Sequence, residues 1–201
     1  MKARRRALAD SLYVASREHD EAQPDRLARW RNVEPETAQL LGVLVRAMGA
    51  RRILEIGTSN GYSTLWLGDA AEAVGGRVLS LEALPERTAV AAQHLRDSGL
   101  ANVVDLRTED AATALTAFPA AAFDCIFLDA ERPAYAGYWP DLARVLASPG
   151  LLAVDNVVSH AAEVAEFRAV VDADDRVTSS LVPIGAGVLL VAPTRAKSGS
   201  A

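Results

Sequence analysis

The chain opens with two stretches whose apolar residues recur at helical spacing, and then changes character. Residues 3 to about 21 have a helix-forming composition, with Leu8 and Leu12 four apart, and the pattern stops near Pro24. Leu40, Leu41, Leu44, Val45 and Met48 line one face of a second helix that starts near Pro35. From Arg52 onward, short apolar runs alternate with longer amphipathic stretches, as βαβ units around a parallel sheet require. The spacing predicts strands at 53–56, 77–81, 103–106, 123–128 and 151–154, and helices at 63–73, 85–98, 111–118, 135–146 and 162–172. Two last strands, 177–183 and 188–192, flank Gly185-Ala186-Gly187. So short a connection cannot make a crossover, so this pair must be antiparallel. The expected fold is α/β: a mostly parallel seven-stranded sheet with a C-terminal antiparallel hairpin and helices on both faces.

Length adds that residues 1–201 form one domain, with N-terminal helices in 1–50 and a frayed tail at 194–201. Half of the residues are hydrophobic and mean hydropathy is +0.10. No run approaches the roughly 18 apolar residues of a membrane span, so the excess points to strands buried on both faces and not to a membrane. The net charge of −5 argues against nucleic acid as a partner read by bulk electrostatics. Lys2, Arg4, Arg5 and Arg6 read as a solvated helix face, and no apolar stretch follows to make them a signal peptide. The single cysteine, Cys125, sits in an apolar run and reads as a buried small hydrophobe. With no disulfide possible, a cytoplasmic setting is expected.

In open α/β sheets ligands bind beyond the carboxyl ends of the strands, which makes the residues just after each strand the place to look. After the first strand runs Glu55-Ile56-Gly57-Thr58-Ser59-Asn60-Gly61-Tyr62-Ser63. Gly57 and Gly61 allow a tight turn and close approach of a ligand to backbone. The spacing is not that of the dinucleotide turn, which disfavours an NAD-dependent oxidoreductase. Glu82 ends the second strand, where a carboxylate can accept from both hydroxyls of a ribose. Asp110 after the third strand either accepts from an adenine amino group or caps the next helix, and both roles are compatible. Asp129 follows the fourth strand and Asp155-Asn156 the fifth. Two carboxylates and a carboxamide at neighbouring tips would suit an oxygen-liganded divalent cation, most simply Mg²⁺.

Together these motifs resemble the metal-dependent O-methyltransferase family that includes catechol and caffeoyl-CoA O-methyltransferases, over about 32–192. The resemblance rests on Leu54-Glu55-Ile56-Gly57-Thr58-Ser59, Gly61-Tyr62-Ser63, Leu128-Asp129-Ala130, Val154-Asp155-Asn156-Val157 and Leu181-Val182-Pro183-Ile184-Gly185 with Gly187. It implies a Rossmann-like methyltransferase fold. It also implies that Val33, Glu55, Gly57, Ser59, Gly61, Ser63, Glu82, Ala83, Asp110, Ala111 and Asp129 surround S-adenosylmethionine. Asp129, Asp155 and Asn156 match the metal ligands. The expected reaction is in-line transfer of the sulfonium methyl to a hydroxyl of a small molecule whose neighbouring oxygen shares the metal.

Two departures matter. The family's lysine base, three residues after the first metal Asp, is Arg132 here. A guanidinium cannot take a proton, though it can stabilise an oxyanion. Deprotonation then falls to the metal, to Glu131 or to His160, four residues beyond Asn156. The catalytic candidates are therefore Asp129, Arg132 and His160. The connection after Asn156 is also short, which suggests an open or different acceptor pocket. Trp30, Tyr135, Tyr138 and Trp139 either pack on a flat acceptor or belong to the core, and His19 and His94 read as exposed helix positions. A metal-independent methyltransferase and a non-catalytic S-adenosylmethionine-binding module are the alternatives. A homodimer joined through the apolar N-terminal helices is expected.

Overall fold

The computed structural model describes residues 1–194, so all but the first residue of the tail expected at 194–201 lies outside the described residues. The elements are α1 (Ala3–Ala22), α2 (Pro35–Met48), β1 (Arg52–Ile56), α3 (Tyr62–Val74), β2 (Arg77–Glu82), α4 (Pro85–Ser98), β3 (Val104–Thr108) and α5 (Ala111–Ala117). They continue with β4 (Phe123–Leu128), α6 (Tyr135–Val145), β5 (Leu146–Val154), α7 (Ala165–Asp172), β6 (Val177–Val182) and β7 (Val188–Pro193). The strands form one seven-stranded sheet in the order β3-β2-β1-β4-β5-β7-β6. β1 to β5 pair in parallel, and β7 is antiparallel to both β5 and β6. This is the expected α/β architecture. No helix among the described residues is long and apolar enough to cross a membrane.

Alternation along the central strands explains the two-sided core. Leu54, Ile56, Ile126, Leu128, Leu152 and Val154 pack with Tyr135, Trp139 and Phe167 on one face. Ile53, Phe127, Cys125, Ala153 and Val78 pack with Leu41, Leu65 and Leu67 on the other. Cys125 is buried as expected, and burial pushes its thiol up to about 12. Tyr135 and Trp139 also belong to the core. β5 starts five residues before the expected 151, because Phe123 pairs with Leu146 whereas Cys125 pairs with Leu151. The irregular Ser148-Pro149-Gly150 segment absorbs the mismatch as a bulge. α7 begins at Ala165 rather than 162, since residues 157–164 remain in turns.

The basic N-terminus corrects one expectation. Arg5 is not solvated: it is 5% exposed and donates to Asp69, Glu72 and the Ser98 carbonyl. Arg46 reaches Asp69 from α2, so one buried carboxylate ties α1 and α2 to α3. Charge spacing on a helix cannot reveal such a partner sixty-odd residues away in the chain.

Candidate active site

Strand order reverses between β1 and β4, so their carboxyl tips open the crevice in which α/β sheets bind ligands. The ladder continues past the strands: the Asp129 amide donates to the Ile56 carbonyl at 2.9 Å and the Asp155 amide to Leu128 at 3.2 Å. Three tips are thereby locked side by side. Gly57 shows how tight the fit is, for at φ 100° a Cβ there would stand 2.2 Å from the Asp129 carbonyl oxygen. No other residue type fits.

Glu55 lies fully buried beneath the turn. Its carboxylate accepts from the hydroxyls of Ser63 and Thr64 at 2.6 Å and of Ser80 at 2.5 Å. Burial pushes this carboxyl up to about 7, against the pull of those three hydroxyls. Its position makes Glu55 the brace of the first turn of α3. Glu82, at the tip of β2, accepts the Ser59 amide at 2.8 Å on one oxygen and the Leu84 amide at 3.1 Å on the other. A carboxylate offers about four acceptor positions, so each oxygen keeps one for a ligand hydroxyl. Asp110 caps α5, accepting the Thr113 amide at 2.9 Å, while Ala111 is buried behind it and Ala83 is exposed beside Glu82.

Asp129, Asp155 and Asn156 meet. The Asn156 Nδ2 donates to Asp129 Oδ1 at 2.9 Å and to Asp155 Oδ2 at 3.2 Å, and Asn156 holds a left-handed backbone at φ 66°. Asp155 is 1% exposed, and its Oδ1 has no hydrogen-bond partner among the described residues. Burial pushes both carboxyls above the usual carboxylate range, and for Asp155 the Asp129 charge adds to the effect. Glycine again sets the approach behind them: the amides of Val157 and Val158 donate to the carbonyls of Gly187 and Ala186 at 3.1 Å. A Cβ on Gly187 would clash with Val158 at 2.3 Å, so the β6–β7 turn braces the Asn156 loop only as glycine.

A segment to which the sequence reading assigned no helix or strand, although it named Trp30 and Val33 there, closes one side. Residues 23–33 run over the glycine turn. Ser59 Oγ donates to the Trp30 carbonyl at 2.7 Å, and Arg87 donates to the carbonyls of Leu27 at 2.6 Å and Arg29 at 2.9 Å. Asp20 at the end of α1 accepts the amides of Trp30 and Arg31 at 2.7 and 2.8 Å. Val33 is buried where this segment meets α2. His19 stacks on Trp30 at 5.0 Å, and His94 Nδ1 lies 2.8 Å from the Asn60 carbonyl. Both histidines, expected to be idle, support the site from behind. Nothing local marks Asp20, Arg87 or His94 for these tasks. Ser80 did carry a signal, as a polar residue inside an apolar strand.

Arg132 is buried at the start of a 3-10 turn, Arg132–Ala134, and its Nε donates to Glu163 at 2.9 Å. His160 lies one turn beyond Asn156, donating its amide to the Asn156 carbonyl at 3.0 Å, with Nδ1 2.8 Å from the Ser159 hydroxyl. Burial and the Arg132 charge hold His160 below the ordinary imidazole value.

The comparisons with known proteins agree with this geometry. The O-methyltransferase family model matches residues 17–194. A catechol O-methyltransferase from Niastella koreensis is 38% identical over 131 residues, 63% of this chain and 58% of that protein. One from Mycobacterium tuberculosis is 33% identical over 148 residues, 74% of this chain and 65% of that one. The chain thus spans less than two thirds of the length of either. The crystal structure of an O-methyltransferase from Bacillus cereus in complex with SAH superposes with a TM-score of 0.76 at 28% identity, covering 93% of this chain and 90% of that one. A family match over nearly the whole fold, together with glycine turn, acidic strand tips and hairpin in their expected places, means that this chain belongs to the O-methyltransferase family.

Proposed function

We propose that the protein transfers the methyl group of S-adenosylmethionine to a hydroxyl of a small molecule whose neighbouring oxygen is held with it by a divalent cation, most simply Mg²⁺. One observation carries the metal half of this reading. Two buried carboxylates with raised proton affinity face each other across the Asn156 amide, and one of their oxygens, Asp155 Oδ1, has no partner. Asn156 Nδ2 stands where a cation would satisfy both acids, and a flip of the amide would turn its oxygen inward as a third ligand. The donor set therefore fits. A cation bound there would lower the hydroxyl's pKa and align both acceptor oxygens.

The chain's own residues supply the rest. Glu82 offers its free acceptor positions to the ribose, and Gly57 and Gly61 let the donor lie against bare backbone. Asp129, at the tip shared with Gly57, stands between donor and acceptor. Arg132 carries a guanidinium and so acts on charge rather than as a base. His160, whose imidazole burial and the Arg132 charge hold below its ordinary value, is the group that takes the acceptor's proton. The likeness to the SAH-bound Bacillus cereus protein supports the donor, and that to the two catechol O-methyltransferases supports the acceptor class. A cytoplasmic homodimer is the setting we propose, which light scattering would test.

Turnover of S-adenosylmethionine with catechol is expected to vanish on exhaustive chelation and to return with Mg²⁺. Arg132 in the lysine position favours a second reading, the same transfer without a metal, and turnover undiminished by chelation would establish it.

A further inference from the structure

Three guanidiniums stand beside the paired carboxylates and share two acids. Arg31 Nη2 donates to Glu131 at 2.5 Å and Arg132 Nε to Glu163 at 2.9 Å. Arg26 Nη2 lies 3.9 Å from Glu131 and 3.5 Å from Glu163. The positive excess is also unsatisfied in hydrogen bonding. The Arg132 side chain is 4% exposed, yet its buried Nη2 has no partner, and neither has Arg31 Nε. A buried donor left unpaired is destabilising, more so when charged, so its place is kept for something. Arg31 is moreover held in the left-handed backbone at φ 53°, which residues other than glycine seldom adopt without a fixed purpose.

Arg31 also lines a neighbouring cavity of about 320 Å³ with Arg17 and Arg29. The acids in that wall are already engaged: Asp20 by the Trp30 and Arg31 amides, Glu34 by Tyr13, and Glu21 by Arg17. Among the described residues none of these acids is hydrogen-bonded to Arg31 Nε or Arg132 Nη2. A divalent cation would balance Asp129 and Asp155, and these two guanidinium donors would still lack a partner.

We propose that Arg31 and Arg132 recognise an anionic substituent of the acceptor, so that the acceptor class is a small carboxylic acid bearing vicinal oxygens rather than a neutral or cationic diol. This rests on the O-methyl transfer reading. A guanidinium with one nitrogen tied to an acid and another left unpaired can still meet a planar carboxylate with its remaining donors, which a lysine in the same place would meet only as a point charge.

Titration calorimetry of the protein saturated with S-adenosylhomocysteine and Mg²⁺ tests this without turnover. The ligands are catechol, dopamine, 3,4-dihydroxybenzoate and benzoate. The dihydroxybenzoate is expected to bind at least about tenfold more tightly than catechol, with dopamine weakest, charge-assisted pairs being the stronger ones. That advantage should shrink to about twofold or less in Arg132→Gln and in Arg31→Gln, each with its affinity for S-adenosylhomocysteine intact as proof of folding. Glu163→Gln, which removes the competing charge while keeping an acceptor for Arg132 Nε, should widen it. Equal binding of catechol and the acid, or tighter binding of dopamine, overturns the proposal while leaving methyl transfer standing. If none of the three diphenols binds, the chelation reading fails, and benzoate decides the arginine site alone: binding lost in Arg132→Gln upholds it, and no binding, or binding that the variant keeps, refutes it.

Discussion

An aspartate stands at either end of β4, one just inside it and one just beyond, and the two have opposite fates. Asp124, just inside the amino end, accepts the amides of Arg51 and Arg52 at 2.9 Å and the Arg52 guanidinium at 2.5 Å. Burial works against its charge, but these donors prevail and hold its carboxyl below the usual range. Asp129, just past the other end, has the Asn156 amide as partner and a second carboxylate beyond it, and burial keeps its carboxyl raised. One side chain is spent on holding the fold. The other is kept under-satisfied, and that is the condition in which a strand tip can bind something.

The sharpest way to break the comparison is to remove each acid. Asp129→Ala is expected to lower turnover with S-adenosylmethionine and catechol by about 1,000-fold while the thermal midpoint stays the same or rises, because a repelling charge is lost. Equal loss in Asp124→Ala would show the asymmetry to be illusory. Next in size is Gly57→Ala, where a methyl group would collide with the Asp129 carbonyl in a left-handed turn. A destabilisation of about 3–4 kcal/mol in urea unfolding is expected, with loss of S-adenosylhomocysteine binding.

A pH series separates the two ends further. The folded value of Glu55, about 7, lies above the ordinary 4.5, so its ionisation opposes folding. Stability of the metal-free protein should therefore fall as pH climbs from about 4.5 toward 7, by on the order of 2–3 kcal/mol from this group. Asp129 and Asp155, also raised, add the same sign. Glu55→Gln should flatten part of that fall between pH 5 and pH 8, and an unchanged slope would refute the assignment. Asp124 has the opposite sign, its stabilisation being lost as pH drops through its lowered value. The smallest effect belongs to Asp124→Ala itself, about 1–2 kcal/mol near pH 7 with kcat unaltered, since four donors lose one partly exposed acceptor.

Much of this was legible in the chain. Hydrophobic period, glycine turns and the acids that end apolar runs are local signals, and the elements fell within a few residues of their expected places except where β5 bulges. The acids Glu82, Asp129 and Asp155 could be named as candidates because strand ends in a parallel sheet share one edge. The roles of Asp20, Arg87 and His94 could not, for each acts across more than nine residues on a backbone group that any sequence would carry.

By itself, then, the sequence determined which elements form and which chemistry each strand tip carries, because both depend on neighbours within a turn or a strand length. Only the tertiary structure decided that Asn156 bridges Asp129 and Asp155, that Arg5 is buried, and that Arg31 and Arg132 reach one place with their acids shared. Those facts depend on strand register and on loops from distant parts of the chain closing over the same edge, and no local pattern encodes such meetings.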